Sequence, residues 1–129
     1  DFDRALPGAN LKGIDISGYA IANTIDTMKK NTVVGDAVNL PFPDNSFDLV
    51  ISINTIHNLE IKDLRISLKE IERVSRKFSF ITVDAYRDEE EKEAMFAWNL
   101  TAKTILSVEE WKNLFSEVGY SGDYFWFVP

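Results

Sequence analysis

Two acidic residues end short apolar segments early in the chain, and the first of them has the chemistry to bind a ribose. Asp15 lies near the end of the apolar segment 11–16, in the sequence GIDIS. An ionised carboxylate has two acceptor oxygens, which can accept from both hydroxyls of a ribose, and nucleoside sites place Asp or Glu at such a strand end. The alternative is that Asp15 caps the following helix, a role that Ser17 also suits.

The second acidic residue is Asp36, which follows a short apolar segment in the sequence Gly35-Asp36-Ala37. A carboxylate here is able to accept from the exocyclic amine of adenine, while the backbone N–H of Ala37 donates to a ring nitrogen. The alternative is a turn in which Asp36 satisfies its own backbone. Each of these motifs is weak when it is taken alone.

Polar residues after two later apolar segments are candidates for contact with a substrate. His57, the only histidine of the chain, follows the segment 47–53 and has a pKa suited to a general base near neutrality. The alternative is a loop histidine that fixes its backbone by hydrogen bonding. Asn54 is a candidate for orienting a substrate. Asp84 and Tyr86 either line an acceptor pocket or begin a loop.

Strand-like and helix-like patterns alternate along the whole chain. Strands are predicted at 11–16, 33–34, 47–53, 78–83 and 124–128. Helices are predicted after Ser17, over the apolar positions of 64–74, over 88–102, and after the capping box of Ser107 and Glu110. This order predicts an α/β fold with a mainly parallel sheet, helices on both faces, and ligands at the carboxyl ends of the strands.

Composition excludes several classes of function. The chain has no cysteine, which excludes a disulfide scaffold, a thiolate metal site and a cysteine nucleophile, and fits a cytoplasmic protein. Its net charge of −7 disfavours binding to nucleic acid. The apolar segments are too short to span a membrane. The acidic run 88–91 is expected to be a helix start and not a metal site.

Four stretches taken together resemble the class I S-adenosylmethionine-dependent methyltransferase family, in its ubiquinone/menaquinone-biosynthesis branch. In chain order they are LKGIDIS, GDAVNLPFPDNSFDLVIS, INTIHNLE with the helix LKEIERVSRK, and ILSVEEWKNLFSEVGY. Their order and spacing cover nearly the whole chain.

The resemblance implies roles for the matching residues. Asp15 would bind the ribose hydroxyls of S-adenosylmethionine, and Ile16 would pack against its adenine. Asp36 and the Ala37 N–H would contact the adenine edge, and Ser52 would approach the methionine part. The reaction implied is in-line methyl transfer to a small-molecule acceptor, with no metal required, and the segment 88–104 would form a lid or a wall of the acceptor pocket.

The sequence departs from the family at both ends. The resemblance implies a Rossmann-like fold of strand order 3-2-1-4-5-7-6 that opens with a strand and a Gly-rich loop of pattern E-x-G-x-G. These 129 residues contain no such loop, and residues 1–7 look like the end of the helix that follows it. We therefore expect one partial domain over 1–129, without the first and last strands, inactive as it stands, and with a split sheet because the first strand is central.

Two other functions remain open at this point. One is a non-catalytic, methyltransferase-like scaffold that binds a protein partner, which the missing glycines favour. The other is a nicotinamide-dependent dehydrogenase, which also carries an acidic residue after its second strand, although the run LPFPDNSFDLV argues against it. An exposed strand edge left by the missing first strand would favour a homodimer.

Overall fold

The computed structural model describes residues 8–15, 22–23 and 31–128, which fall into two compact units that meet in sequence between Pro41 and Phe42. The predictions for Ile16, for the helix after Ser17 and for the helix end within 1–7 lie outside the described residues.

The described strands of the first unit form a parallel pair. Strand β1 (Gly13–Asp15) pairs with β2 (Thr32–Val34), so that Asp15 lies opposite Val34. The pairing continues past the strands, because the N–H of Gly35 donates to the carbonyl of Asp15 at 2.9 Å. Both predicted strands are confirmed, the first of them shorter than its apolar segment.

The second unit is built on a parallel sheet. Its strands are β3 (Phe47–Ile53), β4 (Ser75–Tyr86), β5 (Leu106–Ser107) and β6 (Asp123–Phe127), and β4 pairs with each of the other three. Strand β4 is longer than predicted. Strand β5 was missed because a two-residue strand has no periodicity to read.

Two helices cover one face of this sheet. Helix α1 (Ile61–Val74) buries the predicted positions, and α3 (Val108–Val118) packs beside it. The buried core that they form with the sheet includes Leu64, Leu68, Ile71, Ile81, Val83, Trp111 and Phe115. The predicted capping box is confirmed: Ser107 Oγ accepts from the N–H of Glu110, and the Glu110 carboxylate accepts from the N–H of Ser107.

Helix α2 (Glu89–Trp98) reaches the other face of the sheet, where the ring of Trp98 lies 5.1 Å from that of Phe127. The prediction that this helix continues to residue 102 is wrong. The side chain of Asn99 accepts from the N–H of Ala102 and donates to its carbonyl, both at 2.8 Å, so these residues form a turn instead. Much of this second face is open, with Leu49 and Phe78 being 51% and 64% exposed.

The segment 42–46, which leads into β3, is hydrogen-bonded to Arg73 near the end of α1. Arg73 donates to the carbonyl of Phe42 at 2.8 Å and to the carboxylate of Asp44 at 2.9 Å. The N–H of Asn45, whose φ is +54°, donates to the carbonyl of Arg73. The left-handed backbone suits asparagine, which is common in such turns.

The described strands form two sheets, a parallel pair and a four-stranded sheet. Strand β6 lies directly beside β4, from the pair Phe80 and Asp123 to the pair Asp84 and Phe127. In the family's order a seventh strand separates these two positions. The single-domain prediction for 1–129 is not tested by this arrangement.

Candidate functional site

The two acidic residues of the first unit lie at the same end of its parallel pair. Asp15 is the last residue of β1, and Asp36 follows β2 by two residues. The hydrogen bond from Gly35 to the Asp15 carbonyl joins the two strand ends. This is the carboxyl end, where parallel sheets bind ligands.

The side chain of Asp36 forms the turn that the sequence left open as an alternative. Its Oδ1 accepts from the N–H of Val38 at 3.1 Å, and its carbonyl accepts from the N–H of Asn39 at 3.0 Å. A carboxylate has two oxygens with about four acceptor positions, so a turn bond does not exclude a ligand amine. Ala37 is half-buried within this turn.

These residues fit the nucleoside part of S-adenosylmethionine. Both carboxylates are acceptors, and the ribose hydroxyls and the adenine amine are donors. The backbone between them is tight, because a Cβ placed on Gly35 would lie 2.5 Å from Cδ1 of Ile14. A glycine at this position therefore keeps the end of β2 close to the Ile14 side chain.

The second unit carries the other candidates at the carboxyl ends of β3 and β4. Ser52 is half-buried in β3, opposite Ile81. Asn54 follows β3 with a φ of +49°, and its N–H donates to the Thr82 carbonyl at 3.1 Å. Its Oδ1 accepts from the Thr82 hydroxyl at 2.7 Å, so toward a ligand Asn54 offers its amide donor.

His57 lies in a 3₁₀ helix (Ile56–Asn58) and is only 4% exposed. Its Nδ1 accepts from the backbone N–H of Asp84 at 3.0 Å. Because an accepting nitrogen carries no proton, the neutral ring has its proton on Nε2. The ring therefore fixes backbone, as the alternative interpretation of the sequence held, and it does so for a residue 27 positions away.

Asp84 is equally buried, and sequence reasoning did not connect it with His57. Its carboxylate Oδ1 lies 3.8 Å from Nδ1 of His57. Burial raises the pKa of Asp84, and the charge of His57 opposes this. Burial lowers the pKa of His57, and the Asp84 carboxylate opposes that. Both directions reflect the cost of charge in a site with little water.

A cavity of about 200 Å³ brings these polar groups together. Asn54, His57 and Asp84 form one side of it. The other side is formed by the residues that end α2 and follow it, namely Trp98, Asn99, Leu100 and Thr101. The sequence singled out Asn54, His57 and Asp84 individually, and the segment 88–104 as a lid or wall, but no linear pattern indicated which residues of that segment line the cavity.

The segment after α2 is fastened to the 3₁₀ helix and forms a wall of the cavity. The hydroxyl of Thr101 donates to Asn58 Oδ1 at 3.0 Å, and that of Thr104 donates to the Leu59 carbonyl at 2.7 Å. The backbone N–H groups of Lys103 and Thr104 both donate to the His57 carbonyl. Of the two roles that the sequence allowed for 88–104, these bonds favour the wall.

Other polar groups lie outside this cavity. Tyr86 does not line it, and the Lys92 ammonium lies 5.8 Å above the Tyr86 ring. The acidic run begins α2, where Asp88 Oδ1 accepts from the N–H of Glu91. Within 8–15, 22–23 and 31–128 no three His, Cys, Asp or Glu residues are grouped to hold a metal ion. A larger cavity of about 360 Å³ lies at the amino end of β4, away from the strand ends that bind ligands.

Comparison with known proteins supports the interpretation of both units. Residues 2–82 match a family described as a methyltransferase domain. A tRNA (carboxymethyluridine(34)-5-O)-methyltransferase of Arabidopsis thaliana is 31% identical over 109 residues, which are 81% of this chain and 26% of that protein. A demethylmenaquinone methyltransferase of Corynebacterium glutamicum is 47% identical over 51 residues, which are 40% of this chain and 21% of that protein. The chain thus spans only a fifth to a quarter of these relatives.

A solved structure has a similar fold. It is a chain from the complex between the Trm112 methyltransferase activator of Haloferax volcanii and a methyltransferase, with a TM-score of 0.63 and 25% identity. The likeness covers 83% of this chain and 48% of that one. The Rossmann-like fold predicted from the sequence is confirmed. None of the described helices is long and apolar enough to cross a membrane.

Proposed function

Because this chain belongs to the class I S-adenosylmethionine-dependent methyltransferase family, we propose that it is part of an enzyme that methylates a small-molecule acceptor. The observation that carries the proposal is the position of Asp15 and Asp36 at one end of the β1–β2 pair. Two carboxylates at the carboxyl end of neighbouring parallel strands suit a nucleoside, whose polar edges are rich in donors.

On this proposal each cofactor contact has a chemical reason. The Asp15 carboxylate accepts from the ribose hydroxyls, while Ile16 packs against the adenine. Asp36 accepts from the adenine amine, and the N–H of Ala37 donates to a ring nitrogen. Ser52 donates to the methionine part. When bound, S-adenosylmethionine supplies a methyl group that is already activated by its positive sulfur.

The residues of the second unit have the task of holding the acceptor. Holding two reactants in the right orientation can lower the barrier by up to roughly 7–11 kcal/mol. A fixed cavity wall that orients the acceptor therefore contributes to catalysis. Asn54 offers an amide donor to the acceptor. His57 lines the same cavity, but its Nδ1 is engaged, so only its Nε2–H faces other partners.

A small acceptor is favoured over a nucleic acid by the net charge of −7 and by the small cavity. The name of the Arabidopsis relative, a tRNA methyltransferase, points the other way. The location in the cytoplasm and the pairing of two copies stay predictions. The 129 residues alone, lacking a Gly-rich loop, are expected to bind the cofactor weakly.

Calorimetry with S-adenosylmethionine on the full-length protein tests the proposal. We expect Asp15→Ala and Asp36→Ala each to weaken binding at least about tenfold, since a charge-assisted hydrogen bond contributes about 1.5–3 kcal/mol. The matched control is Asp63→Ala, which removes an exposed carboxylate in the first turn of α1. Unchanged affinity in both variants would refute the cofactor site. Binding of a nicotinamide cofactor instead would favour a dehydrogenase, and binding of neither would favour a scaffold.

A further inference from the structure

Asp84 is held in place by two buried rings that come from different elements. Its backbone N–H donates to Nδ1 of His57 at 3.0 Å, and its carbonyl accepts from Nε1 of Trp111 at 2.9 Å. His57 belongs to the 3₁₀ helix and Trp111 to α3, and the two rings are 4% and 0% exposed. Two side chains thus satisfy both the N–H and the carbonyl of Asp84. These bonds fix the backbone from which the Asp84 side chain extends.

The Asp84 carboxylate lacks a cation of its own within the described part of the chain. It is 4% exposed, and a buried carboxylate is costly unless a partner compensates it. His57 Nδ1 lies 3.8 Å from it, but this nitrogen accepts a hydrogen bond and so carries no proton in this arrangement. The other residues that line the cavity are neutral.

The same cavity offers a surface for a planar or cationic ligand. Trp98 is about half exposed, and it lines the cavity together with Asp84. Aromatic faces attract cations and stack on planar groups. The cavity therefore offers a ligand three groups. They are the Asp84 carboxylate as a charged acceptor, the Asn54 amide as a donor, and the aromatic face of Trp98.

From this geometry we propose that Asp84 is the residue that binds the methyl acceptor, and that it selects an acceptor with an amine or hydroxyl donor over one with a carboxylate or phosphate. His57 and Trp111 are positioning residues, since they hold the Asp84 backbone. This proposal rests on the proposed function. A free carboxylate with no lining cation repels an anion, whereas it accepts a hydrogen bond from an N–H or O–H donor.

Three probes that share one aromatic ring test the charge selectivity. Benzylamine, benzyl alcohol and phenylacetate are titrated into the full-length protein, and binding is followed by ligand-observed NMR. We expect benzylamine to bind most tightly, benzyl alcohol less tightly, and phenylacetate not measurably. In Asp84→Asn, the affinity for benzylamine should fall at least tenfold, while Asp63→Asn should leave it unchanged.

The ring of His57 provides a second measurement, with its nitrogen signals identified as those that His57→Asn removes. The ring nitrogen signals of His57 should shift during the benzylamine titration, because the ring lines the same cavity. Calorimetry with S-adenosylmethionine on Asp84→Asn should give the affinity of the unsubstituted protein, since Asp84 is assigned to the acceptor. This result separates a failed acceptor site from a failed cofactor site.

Equal or tighter binding of phenylacetate, benzylamine binding that does not depend on Asp84, or His57 signals that stay in place would overturn the role of Asp84. If the unsubstituted protein does not bind S-adenosylmethionine, the proposed function is refuted. The role of Asp84 in binding a donor ligand is then judged by the benzylamine titration alone.

Discussion

At the scale of the residue, the His57 ring is a hydrogen-bond acceptor with a structural task. Its Nδ1 compensates the backbone N–H of Asp84 inside the fold, where an unsatisfied donor costs about 1–3 kcal/mol. Protonation of Nδ1 would replace this acceptor with a second donor facing the same N–H. Burial of the ring also lowers the pKa of His57, and the nearby Asp84 carboxylate opposes this shift.

We predict that nitrogen NMR of His57, the one histidine of these 129 residues, shows the Nε2–H tautomer and a pKa below the ordinary value of 6.5. Because Asp84 opposes the shift, Asp84→Asn should lower the pKa of His57 further. The folded state binds this proton less readily than the unfolded state. The contribution of His57 to the free energy of unfolding is thus intact above about pH 6.5 and is lost as the pH falls through the lowered pKa.

The control for this prediction is His57→Asn, which keeps an acceptor near the position of Nδ1 but does not titrate. Urea denaturation between about pH 7 and pH 5 should show a smaller loss of stability in this variant than in the unsubstituted protein. An Nδ1–H tautomer, or a pKa at or above 6.5, would contradict the assignment.

At the scale of the element, α3 links the capping box to the candidate site. Ser107 and Glu110 fix the first turn of the helix. Trp111 follows Glu110 directly, and its indole N–H donates to the Asp84 carbonyl. The helix ends at Gly119, whose φ of +76° a side chain would strain. Local residues therefore set both ends of α3, the helix whose Trp111 holds the Asp84 backbone.

We predict that Ser107→Ala lowers the free energy of unfolding by about 1 kcal/mol, because the N–H of Glu110 loses its acceptor. Ser116→Ala, an exposed position inside the same helix, should change it by less than about 0.5 kcal/mol. Both are measured by urea denaturation at neutral pH. Equal effects of the two substitutions would mean that the cap does not fix the helix start.

Elements with local signals were predictable from the sequence, whereas contacts between distant residues were not. The capping box marked the start of α3, and strand β3 was predicted with both of its ends correct. The early end of α2 depends on the side chain of Asn99, which an apolar pattern does not report. The contact of His57 with Asp84 joins residues 27 apart, and only the folded sheet brings them together.

At the scale of the whole molecule, the described strands divide into a parallel pair and a four-stranded sheet. The pair carries the acidic residues proposed to bind the nucleoside, and the larger sheet carries the cavity proposed for the acceptor. The family's strand order implies a further strand in the centre, and the sequence of 129 residues does not include its Gly-rich loop. Tests of the cofactor site use the full-length protein, because this chain spans only a fifth to a quarter of the relatives it matches.

A crystal structure of the full-length protein with S-adenosylhomocysteine shows directly whether Asp15 and Asp36 bind the nucleoside. We predict that the Asp15 carboxylate lies within about 3.2 Å of both ribose hydroxyls, and that Asp36 accepts from the adenine amine. A nucleoside bound elsewhere on the protein, with the Asp15 carboxylate making no contact to it, would contradict the account.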